Sequence, residues 1–261
     1  METKRQQARS TSHRNLSALV AALAAALGAT PAAAGPIAGF GTARLPDSGF
    51  YRGWFRDGRF QGRGSLVWRD GSRYEGAFAA GLMQGLGSWR SRIGETYRGS
   101  YHGGVPHGAG VSRHADGAVY AGGFVDGLRD GHGRYATVDG DVYRGRFRAG
   151  EFEGHGHFAD SAGLRYRGEF RAWRFWGHGE YRWDNGDRYV GGFRDGQFHG
   201  SGVMYYATAQ DGRTRLAGHW QDGEFVAEHA AAAPAAAAEQ LRVDAEALLF
   251  AQPARLAEAL A

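Results

Sequence analysis

Aromatic and small residues alternate with charged residues over short stretches of this chain. In "YRGRFRAGEFEGHGHF" (residues 143–158), Tyr143, Gly145 and Phe147 occupy every second position, and arginines separate them. A two-residue period is typical of a β-strand, so the aromatic residues are predicted to share one face and the arginines the other. The segment "GHGHF" repeats the alternation and predicts a second strand. The intervening "AGEFEG" is predicted to be the connection.

This pattern returns along the chain with a fixed period of 23 residues, which is the signature of a repeat architecture. The first column of the repeat is Tyr51, Tyr74, Tyr97, Tyr120, Tyr143, Tyr166 and Tyr189. The second is Gly53, Gly76, Gly99, Gly122, Gly145, Gly168 and Gly191. The third is Phe55, Phe78, Tyr101, Phe124, Phe147, Phe170 and Phe193. A Gly-x-Gly pair also recurs later in every unit.

Each unit is predicted to form one β-hairpin. Asp-Gly or Asn-Gly pairs stand near the ends of several units, for example at Asp70-Gly71 and Asn185-Gly186, and such pairs favour tight turns with positive φ. The glycines are expected to make room for aromatic rings lying over their Cα atoms. The predicted fold is therefore all-β, an elongated and twisted antiparallel meander of tandem hairpins with a short C-terminal helical segment.

The unit Tyr-x-Gly-x-Phe-x-x-Gly-x-x-x-Gly-x-Gly closely resembles the MORN (membrane occupation and recognition nexus) repeat. The resemblance covers a half repeat at 39–50, seven repeats at 51–215 and a half repeat at 216–225, within a repeat region at 35–225. It implies a non-catalytic scaffold or binding module, and an association with membranes. Such repeats occur in proteins of many functions, so the resemblance specifies the fold better than the role.

The N-terminal 34 residues have the order of a secretory signal peptide. A polar, basic start precedes the apolar run "LSALVAALAAALG", and small residues follow before a predicted cleavage after Ala34. The apolar run is shorter than the roughly 20 residues of a membrane span. A bacterial protein exported to the periplasm or secreted is the expectation, and an uncleaved membrane anchor is the alternative.

The C-terminal residues differ in composition from the repeats. Residues 226–238 form an Ala-rich linker, and residues 239–261 carry apolar positions at helical spacing. The segment "EALLFAQPARLAEALA" resembles the lead-in to bacterial legumain-like (C13) peptidase domains. This resemblance implies an alternative role, as an accessory region of such a peptidase without its catalytic domain.

Composition argues against several kinds of chemistry. The chain has 261 residues and no cysteine, which removes thiol nucleophiles and Cys-ligated metals. Its glycines recur at the start of a predicted strand, whereas a phosphate-binding loop precedes a helix. Outside the basic N-terminus, basic and acidic residues nearly balance, which argues against nucleic-acid binding. We expect no enzyme activity, no cofactor and no metal site.

The arginine-bearing face is the candidate site for a protein partner or an anionic membrane surface. Its candidate residues are Arg144, Arg146, Arg148, Arg167, Trp173 and Trp176. A solvated face balanced by Glu169, Asp187 and Asp195 is the alternative reading. The tryptophans in "RAWRFWG" replace a glycine and a small polar residue of the repeat, so a different backbone is expected there. A glycan-binding module that uses Trp54, Trp68, Trp173, Trp176 and Trp183 is a third hypothesis.

Overall fold

A computed structural model describes residues 37–46 and 48–228. These residues form seventeen β-strands and no helix, and consecutive strands pair antiparallel within each unit of the chain. The predicted all-β antiparallel meander of hairpins is confirmed. The predicted signal peptide, residues 229–238 of the predicted Ala-rich linker and the helical tail lie outside the described residues. Residues 226–228, which were assigned to that linker, belong to the last strand, Glu224–Glu228.

The chain divides into two compact units, and the boundary falls after Gly131. The first unit contains β1 (Gly39–Arg44), β2 (Phe50–Arg56), β3 (Arg59–Val67), β4 (Arg73–Ala79), β5 (Leu82–Arg90), β6 (Thr96–His102), β7 (Val105–Arg113) and β8 (Val119–Val125). Strand β9 (Leu128–Ala136) contains the boundary. The second unit contains β10 (Val142–Arg148), β11 (Glu151–Ala159), β12 (Arg165–Arg171), β13 (Arg174–Arg182), β14 (Arg188–Arg194), β15 (Gln197–Gln210), β16 (Arg213–Gln221) and β17 (Glu224–Glu228).

The 23-residue period has a simple origin in the hairpin of β10 and β11. Strand β10 has seven residues, a two-residue turn follows at 149–150, and β11 has nine residues. A five-residue loop at 160–164 then leads into β12. The two strands differ in length because β11 contains a bulge, which puts three residues opposite Arg146 and gives Gly154 a φ of 68°.

The tight turn lies elsewhere than the sequence suggested. Ala149 and Gly150 have φ values of 48° and 89°, the two left-handed residues of a type I′ turn, so most of "AGEFEG" belongs to β11. In the pairs near the ends of the units, Asp70-Gly71, Asp116-Gly117, Asp139-Gly140 and Asn185-Gly186, only the glycine is left-handed. Their acidic or amide side chains instead accept backbone N–H bonds within five-residue loops, as Asp70 does from Ser72 N at 2.8 Å.

The extra residues of the last hairpin lengthen its strands. Strand β15 has fourteen residues, and a tight turn at Asp211-Gly212 replaces the five-residue loop. The "YYATAQDGRTR" insertion is therefore ordered hairpin structure.

Glycines form a continuous row across each unit. In the second unit, Gly145 pairs with Gly156, and Gly156 pairs with Gly168. The row continues through Gly179, Gly191, Gly202 and Gly218. Because these positions have no Cβ, one face of the sheet has a channel that aromatic rings fill.

Candidate functional site

The face of the sheet that carries the repeat tyrosines is the hydrophobic core; we call it the aromatic face. All seven repeat tyrosines have at most 1% of their surface exposed, and the seven Phe or Tyr residues of the third column are also buried. The ring of Tyr143 stacks on Phe152 at 3.7 Å between centroids and meets Phe147 and Phe170 edge-on. The side chains of the aromatic face therefore form the packed core of the sheet.

The tyrosine hydroxyls explain why the first column prefers Tyr to Phe. Each donates a hydrogen bond to the carbonyl three residues further on, at 2.8 to 3.2 Å, as Tyr143 does to Arg146 O. A Cβ on Gly156 would lie 2.6 Å from Cε2 of Tyr143, so the ring requires glycine there. Burial raises the pKa of the Tyr51 phenol to about 12. It also raises the pKa of Tyr74, Tyr97, Tyr120, Tyr166 and Tyr189.

The other side of the sheet, the opposite face, carries the predicted arginines of the second unit. Arg144 on β10 lies directly opposite His157 on β11, and His157 lies opposite Arg167 on β12. Arg167 in turn lies opposite Glu180 on β13. Arg144 and Arg167 are thus held on either side of one histidine.

These side chains line a concave volume of about 550 Å³ on the second unit. Its arginine, histidine and glutamate lining residues are Arg144, His157, Arg165, Arg167, Glu180 and Arg182, and we call this site the arginine groove. Burial lowers the pKa of the His157 imidazole, and the positive charges of Arg167 and Arg144 lower it further. The imidazole is consequently neutral at pH 7.

Two predicted arginines lie outside the groove. Arg146 is exposed beside the bulge, and its Cδ lies 3.9 Å from the position of a Cβ on Gly154. Arg148 is exposed at the end of the hairpin, opposite Glu151. The three-arginine run of β10 therefore contributes only Arg144 to the groove.

The three carboxylates expected to balance this charge have other partners. Glu169 accepts a hydrogen bond from His178 N at 3.0 Å, in the bulge of β13. Asp187 accepts from Ala207 N at 2.8 Å, and Asp195 pairs with Arg174 at 3.0 Å. None of these contacts reaches the groove arginines.

The two tryptophans of the sixth repeat lie on different faces. Trp173 keeps the left-handed φ, 72°, of the glycine it replaces, so the expected change of backbone is wrong. Its ring packs on Phe152 at 4.2 Å, on the aromatic face. Trp176 lies on the opposite face, where the Arg171 guanidinium sits 4.9 Å from the ring centroid. Trp173 and Trp176 do not form a joint contact site.

The tryptophans of the glycan hypothesis are equally dispersed. Trp68 is buried, with 5% of its surface exposed, whereas Trp54 is 53% exposed in the first unit. Trp54 contacts Phe40 edge-on, and Arg52 lies over the Phe40 ring. Within the first unit, Trp54 and Trp68 therefore make no joint stacking platform.

The described residues contain no group of three or more His, Asp or Glu side chains placed to hold a metal ion. Within the same residues, no helix is long and apolar enough to cross a membrane.

Sequence reasoning missed two sets of residues. The first set, which we call the stacking column, comprises Phe60, Met83, Pro106, Arg129, Phe152, Phe175 and Phe198. Its four phenylalanines stack on repeat tyrosines, and Arg129 lies over the Tyr120 ring. The 23-residue spacing of these positions is the sequence signal that could have identified the column. The second set is Arg165, Arg182 and Glu180 of the groove, whose positions relative to Arg144 depend on strand register.

The repeat geometry agrees with the comparison to known families. The model of the MORN repeat matches seven consecutive segments: residues 51–73, 74–96, 97–119, 120–142, 143–165, 166–188 and 189–208. These segments make up more than half of the chain, and the protein belongs to the MORN repeat family. No curated protein sequence matches the chain.

Solved structures that are similar to this chain at low sequence identity include the following two. One is the TCP domain of SAS-4 (dCPAP) from Drosophila melanogaster, in complex with a proline-rich motif of Ana2 (dSTIL). It is 11% identical over 74% of this chain and 97% of that chain, with a TM-score of 0.38. The other is the TCP10 domain of Danio rerio CPAP, also 11% identical, over 74% of this chain and 89% of that chain, with a TM-score of 0.38. Neither similarity is close enough to carry over a function.

Proposed function

We propose that this protein is a non-catalytic scaffold whose opposite face binds a protein partner. The observation that carries the proposal is the division between the two faces. The aromatic face uses its tyrosines, glycines and phenylalanines for packing, and the opposite face carries charged residues that this packing does not employ. A surface with a conserved backbone geometry and variable side chains is suited to recognition.

Site-specific photo-crosslinking tests this proposal. A photo-reactive amino acid placed at Arg146 samples the opposite face, and one placed at Ala149 samples the exposed hairpin turn as a matched control. We expect a discrete crosslinked product from position 146, identifiable by mass spectrometry, and little from position 149. Equal labelling from both positions, or no specific product, would count against a partner on this face.

An anionic membrane surface is a second candidate for the opposite face. The cluster of Arg144, Arg165, Arg167 and Arg182 on the second unit favours it, because clustered basic residues are attracted to anionic lipids. Flotation with vesicles of phosphatidylglycerol and phosphatidylcholine, at low and high salt, tests the idea. The membrane hypothesis fails if the protein does not float with the vesicles, or if Arg144→Glu with Arg167→Glu leaves flotation unchanged.

We propose that the protein is exported from the cytoplasm. The pattern of the first 34 residues supports this proposal. The test is cell fractionation of the full chain in a bacterium, combined with intact mass of the recovered protein. Recovery in the periplasm or medium with a mass corresponding to cleavage after Ala34 supports export. Full-length protein in the cytosolic fraction would refute it.

A further inference from the structure

The groove arginines stand at positions that the repeat leaves open. Arg144 and Arg167 occupy the position directly after the repeat tyrosine. The same position elsewhere holds Arg52, Glu75, Arg98, Ala121 and Val190. Because positive, negative and apolar side chains all occur there on the same backbone, the fold does not require arginine at residues 144 and 167.

The groove also concentrates positive charge beyond what its own carboxylate balances. Arg165 lies directly opposite Arg182, and Arg182 lies opposite Arg188. Like charges directly opposite each other on adjacent strands destabilise a sheet. Glu180 contacts Arg182 at 2.7 Å and Arg188 at 3.7 Å, so its carboxylate is shared between these two.

The other guanidinium groups of the groove have no carboxylate within 4.0 Å in the part of the chain that the structure describes, although Arg167 lies opposite Glu180 in register. Among the described residues, Arg144, Arg165 and Arg167 form no ion pair. Guanidinium groups bind carboxylates and phosphates in a planar, two-pronged geometry. An anionic ligand would therefore relieve the repulsion in the groove and pair with the guanidinium groups of Arg144, Arg165 and Arg167.

The size and spacing of the groove define the kind of anion. Its volume, about 550 Å³, lies within the roughly 300–1,000 Å³ of ligand sites. Val142 and Ala159 add small apolar surface to its lining. Arg165 and Arg167 are two residues apart on β12, which corresponds to about 6.6 Å. Carboxylates at alternating positions of an extended peptide have the same spacing.

We propose that the arginine groove binds an extended acidic segment of a protein, with carboxylates at alternating positions that pair with Arg165 and Arg167 and a further carboxylate near Arg144. This inference rests on the proposed function, because it names the chemistry of the partner. A concave site with apolar lining fits a peptide better than a bilayer, since a flat lipid surface does not enter a groove. Neutral His157 provides a hydrogen-bonding group beside the carboxylates.

Fluorescence anisotropy with labelled synthetic peptides tests the proposal on the full chain. The probe is a peptide of about eight residues with aspartate at alternating positions, and its controls are the asparagine counterpart and a peptide with the same aspartates adjacent. The protein variants are wild type, Arg144→Glu with Arg167→Glu, and Arg98→Glu. Arg98 has the same position in its repeat, but its neighbours across the strands are Ser88 and Val111.

We expect the alternating peptide to bind wild type and the Arg98→Glu variant equally. The double charge reversal is expected to weaken binding at least about tenfold, because attraction becomes repulsion at two sites. Affinity is also expected to fall with added salt. Thermal melting checks that each variant is folded. Arg144→Gln with Arg167→Gln is the milder replacement, with an expected weakening of several fold, should the reversal variant fail to fold.

Four results would overturn the inference. They are no binding of the alternating peptide, an equal loss in Arg98→Glu, equally strong binding of inorganic phosphate, and arginine-dependent binding to anionic vesicles without peptide binding. A partner crosslinked through Arg146 that is retained by the double charge-reversal variant would overturn the groove assignment and leave the scaffold function intact. Peptide binding without any crosslinked partner would count against the scaffold function and leave the groove assignment intact.

Discussion

Replacing Gly156 with alanine is the most direct test of the packing that holds each repeat together. The new Cβ would lie 2.6 Å from Cε2 of Tyr143, whereas carbon atoms prefer about 3.5–4.0 Å. The ring must retreat by about 1 Å, but Phe152 is stacked against its other side at 3.7 Å. Overpacking of this kind costs about 1–3 kcal/mol, and loss of the hydroxyl bond to Arg146 O adds about 1 kcal/mol. We expect a loss of about 2–4 kcal/mol.

The matched control is Gly154→Ala in the same strand. Gly154 has a φ of 68°, and only Cδ of Arg146, at 3.9 Å, lies near the position of its Cβ. Its replacement therefore introduces left-handed strain without a clash, at about 1 kcal/mol. Both variants change the unfolded chain in the same way, so the difference between their stability losses reports the cost of the ring contact minus the left-handed strain at Gly154. Urea unfolding followed by tryptophan fluorescence and circular dichroism measures both free energies.

The reasoning fails if the two alanine variants lose the same stability. A double-mutant cycle with Tyr143→Ala gives an independent check. Once the ring is removed, Gly156→Ala should cost less than in the wild-type background, and the coupling should exceed about 1 kcal/mol. Strictly additive effects would show that the ring does not set the requirement for glycine.

Two further predictions concern Trp173 and His157. Trp173→Gly should change the free energy of unfolding in urea by less than about 1 kcal/mol, because relief of left-handed strain offsets the lost ring contact with Phe152. The comparison variant Phe152→Ala should cost about 3–5 kcal/mol. Equal losses in the two variants would contradict the prediction. Burial, Arg167 and Arg144 lower the pKa of His157, so its contribution to stability is present above about pH 6.5 and lost as the pH falls through the folded pKa. Unfolding measured at pH 7.5 and 5.5 should show a smaller decline for His157→Gln than for wild type, and an unchanged decline would refute the assignment.

The strand pattern of this protein was predictable from its sequence because structural side chains recur at fixed positions. Tyr143, Gly145 and Phe147 alternate over the length of a strand, and their counterparts keep the same phase in six other repeats. The stacking column was harder to recognise, because Arg129 interrupts its apolar character. Arg129 nevertheless lies over the ring of Tyr120, with 5.7 Å between its guanidinium carbon and the ring centroid, so a cation takes the place of a phenyl ring.

The turn and the groove depended on geometry that local sequence does not specify. Ala149 carries no turn signal, yet it adopts positive φ because the hairpin imposes a two-residue connection. The bulge around Gly154 puts extra residues into β11, and equivalent bulges in the later hairpins shift the pairing again. The residues that face Arg144 across the sheet can be assigned only when these shifts in strand register are known. The arginines on β12 and β13 therefore could not be assigned to one site in advance.

The buried phenols allow the opening of the repeats to be followed by ultraviolet absorbance. Folding raises the pKa of Tyr51 to about 12, against about 10 in an unfolded chain. The folded state therefore holds the phenolic proton more tightly, and the stability linked to it is complete below about pH 10 and lost as the pH rises through the folded pKa. Tyrosinate absorbs ultraviolet light at longer wavelength than tyrosine, so an alkaline titration distinguishes closed repeats from open ones without an attached dye.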